Sequence, residues 1–119
     1  MGGPTTIGLH TVTLLALASE AAKRGILGER TRSAYARLRE KVAAWANSDA
    51  AALEEVHIPD LLRSRIIDTI EVQPKDDRLA IRNMASALAQ SLRDDVLRGS
   101  LGISLRRLEE IDGQLKTFT

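Results

Sequence analysis

The chain has 119 residues, 44% of them hydrophobic, with one Trp, one Tyr, one Phe, three prolines and no cysteine. That length suffices for one domain burying roughly two-thirds of the surface of its unfolded form, and the missing cysteine excludes disulfides, thiolate metal sites and cysteine nucleophiles. The formal net charge is +1, yet Lys23 to Lys41 holds seven basic and two acidic residues, +5, leaving −4 for the rest, a layout that favours contacts between oppositely charged protein surfaces over binding to nucleic acid.

Met1 to Pro4 is expected to be loose. The apolar run Thr11 to Ala18 lacks a basic region before it and a cleavage site after it, and falls well short of the ~20 apolar residues that span a bilayer. Neither a signal peptide nor a transmembrane segment is expected, and cytoplasm is the default location. From about Thr5 to Lys23, Ile7, Leu9, Val12, Leu14, Leu15, Leu17, Ala18, Ala21 and Ala22 make a helix apolar over more than half its circumference, hence central. Gly25 is expected to close it in the left-handed conformation, Ile26 and Leu27 to enter the core, and Gly28 to provide a sharp turn.

The second helix, Glu29 to Ala46, carries the clearest periodicity. Tyr35, Leu38, Val42 and Trp45 form one stripe that faces the core, while Arg30, Arg37 and Lys41 share another face, with Lys23 and Arg24 near its beginning. Asn47-Ser48-Asp49 is a break, followed by a short helix at Ala50 to Val56 and a loop at His57-Ile58. Pro59 suits the first position of a third helix that buries Leu61, Leu62, Ile66, Ile67 and Ile70 and stops before Pro74.

Lys75-Asp76-Asp77 restarts the chain, with Asp76 the expected cap. The helix from about Asp77 to Arg98 turns Leu79, Ile81, Met84, Ala85, Leu88, Leu92, Val96 and Leu97 inward, and Gly99 ends it. The last segment, 103–119, repeats a heptad through Leu105, Leu108, Ile111 or Asp112, and Leu115, weakened by Gly113. It either packs back on the domain or projects as a connector. The fold expected is all-α, a single bundle of five or six helices with short connections spanning residues 1–119.

Chemistry-bearing groups are sparse. His10 lies in the apolar first helix as a hydrogen-bonded structural residue, His57 in a loop, and no HExxH motif or histidine cluster offers a metal site. The doublets Glu54-Glu55, Asp76-Asp77 and Asp94-Asp95 point about 100° apart on a helix, so none converges on one cation. No phosphate loop or GxSxG motif occurs. The expectation is a non-catalytic protein without cofactor or metal. Its docking surface would combine Lys23, Arg24, Arg30, Arg37 and Lys41 with acidic patches at Glu54, Glu55, Asp94 and Asp95. Nucleic-acid binding, which would need exposed aromatics for stacking, ranks lower because Tyr35 and Trp45 are expected in the core.

The order of pieces is an apolar helix, GILGERTRSAYARLREKV with its turn and single Trp, an alanine-rich acidic piece, a Pro59-centred helix start, and Lys75-Asp76-Asp77 before a leucine-rich helix. It resembles small helical domains of bacterial conflict and signalling systems, some of them similar to the death-domain superfamily of six-helix adaptors. The resemblance covers about Leu9 to Leu97 and implies homotypic or heterotypic association that recruits an effector. Two other classes stay open: a homo-oligomeric structural or regulatory protein with a seam at Leu105, Leu108 and Leu115, and a nucleic-acid-binding regulator using the basic helix face.

Overall fold

A computed structural model describes residues 7–46, 60–99 and 104–117, and these form five α helices with no strand among them. They are α1 (Ile7–Lys23), α2 (Glu29–Ala46), α3 (Asp60–Glu71), α4 (Lys75–Leu97) and α5 (Leu105–Lys116). The expected short helix at Ala50 to Val56, the loop holding His57, the acidic pair Glu54-Glu55 and the loose Met1 to Pro4 lie outside the described residues.

α1 is the hub because its sequence is apolar nearly all round. It touches each of the other four helices, and ten of its 17 residues are buried, among them Val12, Leu14, Leu15 and Ala18. Gly25 ends it at φ 69°, in the left-handed region that glycine enters without steric penalty. Leu27 then enters the core, with Ile26 half-buried beside it. In α2 the stripe divides. Leu38 and Val42 are fully buried, while Tyr35 and Trp45 are half-buried at the edge of the core, each with a cation over its ring, Arg39 at 5.9 Å and Lys41 at 5.6 Å.

α4 packs against α1, α2 and α5 through Ile81, Ala85, Leu88, Ala89 and Leu92. Three expectations fail along α3 and α4. Leu61 and Leu97 point outward, 73% and 65% exposed, because each sits at a helix end beyond the reach of the core. Asp76 does not cap α4, which begins one residue earlier with Pro74 at the cap position and no side-chain cap bond. Asp76 and Asp77 instead lie in the first turn, where their charge suits the positive helix end. Gly99 ends α4 at φ 79°.

α5 packs back. Ser104 caps it by accepting a bond from the Arg107 amide at 3.3 Å, and Leu108, Ile111 and Leu115 are buried against α4 and α1. The radius of gyration of 13.3 Å agrees with the value of about 13.5 Å for a compact chain of this length.

Three polar staples join the helices, and none was visible in the sequence. At the first, the Gly8 amide donates to Glu71 Oε2 at 2.6 Å, so the end of α3 satisfies one of the open N–H groups at the start of α1. The helices are antiparallel and touch closely there, since a Cβ on Gly8 would lie 2.8 Å from the Ile67 carbonyl oxygen. At the second, Asp95 Oδ2 accepts from the Thr31 hydroxyl at 2.7 Å and from the Gly28 amide at 3.1 Å. Gly28 is therefore needed for closeness and not for a turn at positive φ, because a Cβ would meet Asp95 Oδ1 at 2.9 Å. At the third, the Ser86 hydroxyl donates to Asp112 Oδ1 at 2.6 Å, with Lys116 pairing to Oδ2 at 3.0 Å.

Candidate docking groove between α2 and α4

The Asp95 staple holds the start of α2 beside the end of α4, so the two helices run antiparallel and leave a straight furrow along their outer side. The furrow encloses about 840 Å³. Ala34, Met84 and Ala87 form its apolar floor, and Ser33 and Ser91 keep it deep by being small. Arg30 and Arg37 stand on the α2 wall and Arg98 at the α4 end, against a single carboxylate at Glu29. Arg30 and Arg37 are exposed and have no ion-pair partner among the described residues, whereas Arg98 reaches Asp95 at 3.5 Å. Two exposed guanidiniums above an apolar floor make a surface suited to an anionic, partly apolar occupant.

The structure gathers only part of the basic surface expected from sequence. Arg30 and Arg37, seven residues apart, come together on the groove wall as their spacing requires. Lys41, one turn further along, does not line the groove, and its ammonium lies over Trp45. Arg24 pairs with Glu20 at 2.9 Å one turn back on α1, and Lys23 is exposed in the last turn of that helix. On the acidic side, Asp94 is half-exposed beside Arg93 at 4.0 Å. Asp95 is 3% exposed and bound internally, so it cannot serve as a surface patch. Adjacent helix positions point about 100° apart, and on α4 that difference separates the two roles.

The C-terminal leucines are likewise committed. Leu108 and Leu115 are buried within the monomer and Leu105 is half-buried, so a seam through them would require α5 to leave the domain. His10 departs from its expectation too. Its Nε2 is buried without a hydrogen-bond partner among the described residues, and burial lowers its pKa from 6.5.

Sequence reasoning missed Arg98, Met84 and Ala87, which reach the groove only because α4 lies against α2. The signal that existed was a run of small residues, Ser33-Ala34 on α2 and Ala87 and Ser91 on α4, on faces that were otherwise polar.

Among the described residues no group of three His, Asp or Glu side chains could hold a metal ion, and no helix is long and apolar enough to cross a membrane. No family model, curated protein or solved structure matches this chain.

Proposed function

We propose that this protein is a non-catalytic interaction module, a helical bundle that recruits a protein partner through the α2–α4 groove, in the manner of the bacterial adaptor domains its sequence resembles. The observation that carries the reading is the convergence of exposed Arg30 and Arg37, which have no ion-pair partner among the described residues, with Arg98 around the floor of Ala34, Met84 and Ala87. Exposed cations gain little for folding, and they steer and orient an acidic partner. Self-association through a C-terminal leucine seam is the weaker reading, since those side chains are already buried within one chain.

The test is site-specific photocrosslinking in cells of the source organism. A benzoylphenylalanine at exposed Ala87 in the groove is compared with one at exposed Gln114 on α5. A discrete adduct from Ala87 that disappears with Arg30→Glu/Arg37→Glu supports the reading. The same adducts from both positions, or adducts indifferent to the charge reversal, overturn it.

A further inference from the structure

The α2–α4 groove narrows the kind of segment it can receive. Its α4 side runs from Asn83 to Arg98, just past the helix end, and its α2 side from Glu29 to Arg37, spans of about 22 Å and about 12 Å at helical rise. Both walls are α helices whose interior amides and carbonyls are paired within the helices, and the described residues contain no strand. An extended peptide laid here would find no sheet edge, and its backbone would lose water over Ala34, Met84 and Ala87 without replacement. A helix brings its own backbone pairing. It also fits the small floor, because Ser33, Ala34, Ala87 and Ser91 allow the interaxial approach of about 8–10 Å that helix packing uses.

Charge fixes the rest. Among the described residues that line it, the rim carries Arg30, Arg37 and Arg98 against Glu29, with Arg98 also reaching the buried Asp95 at 3.5 Å. Asn83, Ala87, Gln90, Asp94 and Leu97 follow one another along α4 at spacings of four, three, four and three, so they share one side of that helix, and Asn83 and Ala87 among them line the groove. That series ends in Leu97, which is exposed but stands outside the groove lining.

Building on the recruitment reading above, we infer that the occupant is an amphipathic helix of about three turns from another protein, with a small apolar face on Ala34, Met84 and Ala87 and acidic residues along the flank that meets Arg30 and Arg37.

The test uses the full chain and synthetic 16-residue peptides followed by calorimetry. One peptide has Leu and Ala on one helical face and Glu on the flanks, a second has Lys in place of Glu, and a third is the acidic peptide with two central residues replaced by proline. The acidic helix is expected to bind, and to bind at least about tenfold more weakly to Arg30→Glu/Arg37→Glu, a modest sum for two reversed exposed pairs. Arg106→Glu/Arg107→Glu on the exposed face of α5 is expected to leave binding unchanged. Far-UV circular dichroism verifies that both variants fold, as their exposed positions lead one to expect. Equal binding of the proline peptide overturns the helical occupant and leaves the acidic docking groove standing. Equal binding of the Lys peptide, or no binding by any peptide, overturns the inference, and the crosslinking result then decides the recruitment reading independently. A 20-base-pair DNA duplex that binds more tightly than the acidic helix, and is lost with the same charge reversal, overturns both.

Discussion

Replacing Asp95 with alanine is the perturbation that most directly tests how the groove is held. Asp95 is 3% exposed and Thr31 1% exposed, so the bonds from the Thr31 hydroxyl at 2.7 Å and the Gly28 amide at 3.1 Å lie out of water. Hydrogen bonds to a charged group contribute about 1.5–3 kcal/mol each, and a donor left buried without a partner costs about as much. The Arg98 ion pair adds little, because its guanidinium is mostly in solvent. Because both bonds end on one oxygen they do not add fully, and Asp95→Ala is expected to cost about 3 kcal/mol. Urea unfolding followed by Trp45 fluorescence measures it, and the thermal midpoint should fall by roughly 10 °C for a chain of this size. Thr31→Val completes a double-mutant cycle whose coupling should reach about 1–2 kcal/mol. A loss below about 1 kcal/mol for Asp95→Ala, or additivity of the two changes within about 0.5 kcal/mol, would refute the staple as the link between α2 and α4.

Gly8→Ala should destabilise by about 1–3 kcal/mol in the same assay, because the new methyl meets the Ile67 carbonyl at 2.8 Å and forces α1 and α3 apart. An unchanged urea midpoint would show that the two helices separate freely. Gly113→Ala should stabilise by about 0.5–1 kcal/mol, since the site is exposed in mid-α5 with nothing within 4 Å of the added Cβ. A loss of stability there would show that α5 is not helical through Gly113. His10 gives a pH dependence with a defined sign. Its folded pKa lies below the unfolded 6.5, so the unfolded chain takes up the proton first and stability falls as pH drops from 6.5 toward the folded value. His10→Gln should remove that part of the slope in urea midpoints taken between pH 7 and 5, and identical slopes for the two proteins would dismiss the buried neutral imidazole.

Several features were legible in the chain because they depend on neighbours in sequence. The periodicity of α1 and α2, the ends set at Gly25 and Gly99, and the shared face of Arg30 and Arg37 follow from helical geometry and backbone sterics, which act over one or two turns. The inward positions Leu38, Val42, Leu88, Leu92, Leu108 and Leu115 follow from the same rule. What spacing alone left undecided was the destination of each face. Leu61 and Leu97 are as apolar as their buried neighbours, yet each lies at a helix end that none of the described helices covers. Asp94 and Asp95 have the same chemistry and adjacent positions, yet the approach of Gly28 and Thr31, 67 and 64 residues away, turns one into a buried acceptor and leaves the other at the surface. The groove has the same origin. Arg30 and Arg37 announce a basic face, but most of its floor and its third arginine come from α4 and its end, and an interaction between segments so far apart is set by how whole helices pack.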